Sequence, residues 1–177
     1  MNAHHDFKEG NKAAKKMFCI LLIALIPLFI ILGIYLNDPR SPILHSISTS
    51  THNLPAILSS KNLLLSKAMD VYTKTAPLFA VIFFSTSYKK LKLKDGQSAW
   101  HILSLHVLFT AFYLALIYSF LFTNTELTSS ERMLKVISSN DFTLSLFFIL
   151  LYTGIYIFSC LYLWLFSGMY HAFKERQ

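Results

Sequence analysis

Few residues in this chain could do chemistry, and their spacing limits what they could do. The chain has seven histidines. His4 and His5 are adjacent and lack a third ligand within reach in sequence, and zinc sites draw on three or four side chains. His101 and His106 are five positions apart, which on a helix turns them roughly 140° away from one another, so they cannot grip one ion. Asp70 and Lys74 stand in acid-then-base order at i and i+4, the arrangement that pairs on a helix surface. A second polar group gathers at Asn124, Glu126, Glu131, Arg132 and Asp141. No phosphate-binding lysine loop, G-x-S-x-G, H-E-x-x-H or C-x-x-C occurs. With only five glycines, a phosphate-cradling loop is not expected. The sequence therefore predicts no catalytic residue, no metal and no cofactor. Cys19 and Cys160 lie inside apolar runs and read as small apolar packing residues rather than as a disulfide framework.

The elements that must hold these residues are membrane spans. Trp100 to Phe122 contains no Lys, Arg, Asp or Glu and, as a helix, reaches about 34 Å, enough for a bilayer core of about 30 Å. The chain is 54% hydrophobic and only 14% charged, against about a quarter charged in soluble domains. The net charge of +7 sits in short clusters that flank apolar runs, which argues against nucleic acid as a partner. The expected fold is all-α: an integral membrane four-transmembrane-helix bundle forming one domain over residues 1–177. Spans fall at about 17–36, 68–88, 100–122 and 142–166. Loops 37–67 and 123–141 lie on one side, and loop 89–99 on the other.

Local signals refine this frame. Pro27 should kink the first span, with a neighbouring helix repairing its lost hydrogen bond. Residues 37–60 read as a Ser/Thr-rich loop, from which Ile43, Leu44, Leu54, Ile57 and Leu58 pack on the bundle or rest on the membrane surface. Ser59 or Ser60 is the expected cap of a helix running from Lys61 to Tyr88, amphipathic to Lys74 and apolar beyond it. Asn140 or Asp141 caps the last span. Tyr35, Tyr72, Tyr88 and Trp100 sit near span ends, as an aromatic belt requires. Ala111, Ala115 and Ser119 recur every four residues, a pattern that admits close helix approach. Lys and Arg number four in the N-terminal tail, four in 89–99 and two at the C-terminus. The opposite side has Arg40, Lys61, Lys67, Arg132 and Lys135. The positive-inside rule then makes both termini cytoplasmic. His106 lies about six residues into the bilayer, where ionisable groups are costly and often functional. A proton relay would also want acids in the other spans, and only Asp70 is at hand.

Several segments, in order, resemble a known family. They are Ser48-Thr-Ser-Thr-His-Asn-Leu-Pro55 with Ile57 and Ser59-Ser60, and Lys74-Thr-Ala-Pro77. Further on come Glu126-Leu-Thr128 with Asn124 just before it, Asn140-Asp141 with Thr143-Leu144, and the terminal Arg176-Gln177. The likeness runs from Asn11 to Gln177 and is similar to the immunity proteins against pore-forming colicins, of the colicin A type. Most matching segments lie outside the apolar spans, where lipid-like composition does not create matches.

The resemblance implies an inner-membrane protein that protects a colicin-producing bacterium. Its partners would be membrane lipid and the channel-forming domain of a cognate colicin, bound within the bilayer so that the channel does not open. On that reading the first contacts to test are Lys74, His106, Tyr113, Tyr118, Asn124 and Glu126. The alternative from a different class is a small transporter or channel subunit of the inner membrane, which needs a polar path through the bundle. A membrane enzyme acting on lipid would need a cluster of carboxylates, histidines or cysteines at one interface. A holin-like pore former would be lethal rather than protective.

Overall fold

The computed structural model describes residues 2–88, 99–129 and 132–174. The basic stretch 89–98, Glu131 and the terminal Arg176-Gln177 lie outside the described residues, as do the side chains of His4, His5 and His101. Among the described residues the secondary structure is helical apart from one pair of two-residue strands. Three helices among the described residues are long and apolar enough to cross a membrane, within α1 (Asn2–Asn37), α5 (Ala99–Leu121) and α7 (Asp141–Lys174). Between them lie α2 (Pro42–Ser50), β1 (Ile57–Leu58), α3 (Leu63–Thr73), α4 (Ala76–Ser87), β2 (Thr125–Glu126) and α6 (Arg132–Ile137).

The helix expected over 61–88 is divided. Thr75 N–H turns back to the Tyr72 carbonyl at 2.9 Å, and Leu78 N–H to the Thr75 carbonyl at 3.0 Å. These i to i−3 bonds tighten the chain at Lys74–Thr75. Pro77 supplies the cause, because it has no N–H to continue the ladder and its ring crowds the preceding turn. Neither α3 nor α4 is long enough alone to count as a crossing.

Helix α7 is the hub and packs against α1, α3, α4, α5 and α6. Its buried stripe is Leu144, Phe148, Tyr152, Ile155 and Tyr156, met by Leu28 of α1, Leu65 and Met69 of α3, and Ala76, Ala80 and Phe83 of α4. These spacings of three and four residues put one helix face inward. Pro27 lies inside a helix that continues past it. The hydroxyl of Tyr72 donates to the Ala24 carbonyl at 2.7 Å, one residue past Ile23, whose carbonyl is the one that Pro27 leaves without its helical donor. Tyr72 also stacks on Tyr152, with ring centroids 5.5 Å apart. It is half-buried and packs against the core. Trp100, in contrast, is 78% exposed.

Two segments read as loops contain helices. In α2, Pro42 stands at the first turn, where its missing N–H costs nothing, and Leu44 is buried. Ile57 also packs inward, whereas Ile43 and Leu54 are exposed. In α6, Met133 and Val136 face outward. The expected cap at Asn140 is present: its Oδ1 accepts the Phe142 N–H at 2.9 Å. The expected caps at Ser59 and Ser60 are not, since Asn62 precedes α3 and both serines bond elsewhere.

Candidate functional site: the paired loops and the α5–α7 seam

The segments 54–60 and 124–128 are joined. β1 and β2 run parallel, with Ile57 opposite Thr125 and Leu58 opposite Glu126. Thr125 N–H donates to the Ala56 carbonyl at 3.1 Å, and Leu127 N–H to the Leu58 carbonyl at 2.8 Å. Side chains extend the pairing at both ends. Asn124 Oδ1 accepts the Ala56 N–H at 3.0 Å, and Glu126 Oε1 accepts the Ser60 N–H at 2.9 Å. The Ser60 and Thr128 hydroxyls lie 2.7 Å apart, and Thr128 also donates to Glu126. Two short strands would be marginal alone. Here Leu127 and Ile57 are buried beneath them, and buried Ser59 donates to the Ser138 carbonyl at 3.2 Å. Burial by itself would raise the Glu126 carboxyl, but hydrogen bonds from Thr128 and Ser60 outweigh it and hold the group below the ordinary Glu value.

A second layer of polar contacts lies under 54–57. Asp70 and Lys74 form the expected ion pair at 2.7 Å. Asp70 is 1% exposed and its other oxygen accepts the Ile57 N–H at 3.2 Å. Lys74 donates to the Pro55 carbonyl as well, and Lys67 to the Leu54 carbonyl at 2.9 Å.

The structure therefore brings Lys74, Asn124 and Glu126 into one cluster around 54–60, with their side chains bonded inside the chain. His106 and Tyr113 lie elsewhere, on the α5–α7 seam. Tyr162 of α7 stacks against both, at 4.7 Å from Tyr113 and 5.7 Å from His106. The Tyr113 hydroxyl bonds Ser159 Oγ at 2.8 Å. His106 is buried against Tyr162 and Phe166, and its Nδ1 has no hydrogen-bond partner among the described residues. Tyr118 stands apart from both groups. It is 63% exposed and stacks on Phe122, just past the end of α5. Ala111, Ala115 and Ser119 face outward, so the close approach their spacing permits is not made to α7.

Sequence reasoning missed Lys67 as a partner of the 54–57 backbone, although its place on the Asp70–Lys74 helix face was visible. It also missed Ser66, whose hydroxyl accepts the Ser59 N–H at 3.0 Å. Among the described residues no group of three or more His, Cys, Asp or Glu side chains could hold a metal ion.

The comparisons with known proteins span the segments that build this site. Residues 40–177 match the family described as colicin immunity protein. The chain belongs to that family. It is 38% identical to the colicin-A immunity protein of Citrobacter freundii, over 100% of this chain and 99% of that protein. It is 32% identical to the colicin-B immunity protein of Escherichia coli, over 84% and 83% of the two chains. The colicin-N immunity protein of Escherichia coli is 38% identical over 59% of this chain and 77% of its own length. No solved structure matches. The matched region of the family holds α2 to α7 and all of the paired loops, while the whole of α1 precedes it.

Proposed function

We propose that this protein gives immunity to a pore-forming colicin. It sits in the bacterial inner membrane as one four-span domain, with α3 and α4 together making the second crossing and both termini in the cytoplasm. Residues 63–87 reach about 37 Å as a helical pair, enough to cross. The paired loops then face the periplasm, from which a colicin channel arrives. The single observation that carries the reading is the likeness to the colicin-A immunity protein over the full length of both chains.

The partner on this reading is the membrane-inserted channel domain, met within lipid, and the role is binding rather than catalysis. Opening a voltage-driven channel moves charge through the membrane field, worth about 2.3 kcal/mol per charge per 100 mV. A protein that binds the closed inserted state more tightly shifts the population away from opening without having to plug a pore. Of the six proposed contacts, Tyr118 presents its ring directly. His106 and Tyr113 set α5 against α7, and Lys74, Asn124 and Glu126 shape the paired loops.

The test is survival of sensitive bacteria that express this chain, challenged with a panel of pore-forming colicins that includes A, B and N. A nuclease colicin using the same receptor is the control. Protection from one or two pore formers, with the control still killing, is the expected result. Protection from the control as well would mean damaged import. No protection from any pore former, with the protein confirmed in the membrane, would refute the proposal.

A further inference from the structure

Two side chains of α3 and that of its C-cap, Lys74, meet the backbone of 54–57 in an order of charge that matches it. Lys67 donates to the Leu54 carbonyl, Lys74 to the Pro55 carbonyl, and Asp70 accepts the Ile57 N–H. Their spacing of three and four residues puts all three on one helix face. On the opposite side Asn124 and Thr125 hold Ala56, and Leu127 and Glu126 hold Leu58 and Ser60 just beyond it. The segment is therefore gripped between a charged helix face and a strand. Asp70 is 1% exposed and Lys67 5%, so an incoming protein touches neither. Lys74 keeps only 17% of its side chain exposed. The residues left open on this surface are others, among them His52, Asn53 and Lys61.

We propose that Lys67, Asp70 and Lys74 are positioning residues: a clamp of fixed polarity that holds Ile57 in register with Thr125 and so presents the loop surface that a colicin meets. The last step rests on the function proposed above. The clamp differs from an ordinary ion pair in one respect. Asp70 and Lys74 each satisfy the other, but each also serves a backbone group of fixed sign. A lysine in place of Asp70 has no oxygen for the Ile57 N–H, and an aspartate in place of Lys74 would set a carboxylate against the Pro55 carbonyl. Exchanging the two charges preserves their mutual attraction and destroys both backbone bonds.

Two double variants test this in the full-length protein in lipid nanodiscs and in cells. One is the reversal, Asp70→Lys with Lys74→Asp. The other is the apolar pair, Asp70→Leu with Lys74→Met, which should accumulate normally because buried ion pairs replaced by apolar residues of similar size are often neutral or stabilising. Lys74→Arg, which keeps the donors, is the conservative control. Amide exchange of Ile57 and of 124–128 reads the pairing directly. Survival against whichever pore-forming colicin the parent resists reads function. Both double variants should exchange at least ten-fold faster at these amides and lose at least ten-fold in protection at equal membrane level, with Lys74→Arg close to the parent. If the reversal fails to accumulate, the apolar pair alone decides. Parent-like exchange in a double variant overturns the clamp, since the ion pair or simple packing would then suffice. Fast exchange with full protection overturns its role in presenting the surface. A parent chain that protects against no pore former refutes the proposed function instead, and the exchange measurement still judges the clamp.

Discussion

The Asn124 side chain offers a sharp test of how the loops are joined. Its Oδ1 takes the Ala56 N–H at 3.0 Å, and Ala56 is 2% exposed. Removing an acceptor leaves a buried amide unpaired, at a cost of about 1–3 kcal/mol. The lower end applies here because Asn124 itself faces solvent, so water can partly replace it. For Asn124→Ala we expect about 1 kcal/mol, or about five-fold in the ratio of open to paired loops. Asn124→Asp keeps an oxygen in place and gains a charge-assisted bond, so it should match or exceed the parent. The assay is amide exchange by mass spectrometry over 55–60 and 124–128, with the helical core as internal reference. Asn124→Ala should speed exchange about five-fold in the two loop segments and leave the α7 core unchanged. Equal exchange in the alanine variant and the parent would refute the argument, as would an aspartate variant that behaves like alanine.

Acid should open the same loops, with the sign set by Glu126. Its carboxyl is held below the ordinary value near 4.3, so the stabilisation is complete above that value and is lost as pH falls through the depressed one. Spin labels at His52 and Ser129 should keep their separation at neutral pH and spread only once the pH falls below the ordinary carboxylate range, and Glu126→Gln should flatten this acid step. On the α5–α7 seam, Tyr113→Phe should cost about 0.6 kcal/mol, the mean for a hydrogen bond between membrane helices, whereas Tyr113→Ala should cost several times more because the stack on Tyr162 goes with it. Unfolding by denaturing detergent separates the two. Phe148 is fully buried, and Phe148→Ala should cost about 3–5 kcal/mol in the same assay, more than any loop variant.

The features legible in the sequence were those set by near neighbours. The apolar lengths of α1, α5 and α7 need no partner to be read, and the Asp70–Lys74 pair and the Asn140 cap are each settled within four residues. What escaped depended on distance along the chain. Asn124 meets Ala56 across 68 positions, and two-residue strands carry no periodicity from which their pairing could be inferred. Ser59 and Ser60 carry the right chemistry for helix caps, but Ser138 and Thr128 claim their hydroxyls first. Tyr72 reads as an interfacial ring because it stands near a span end. Only the position of Ala24 in a neighbouring helix shows why it also packs against the core. The α2 helix hid in a Ser/Thr-rich stretch because its stability comes from burying Leu44, not from propensity.

Helix α5 packs chiefly on α7, and Leu108, Ala111, Leu114, Ala115, Tyr118 and Ser119 stay on its open side. The hub keeps its buried stripe on α7 whatever those six residues become, provided they remain apolar or small. Mutation can therefore explore that side of α5 at little risk to folding, while a change at Phe148 or Tyr156 endangers the whole molecule. If the open side of α5 meets a toxin, as the proposed contact at Tyr118 requires, a lineage pressed by a drifting toxin has a stretch of helix on which to follow it. The paired loops offer less room, because so many of their side chains are already spoken for.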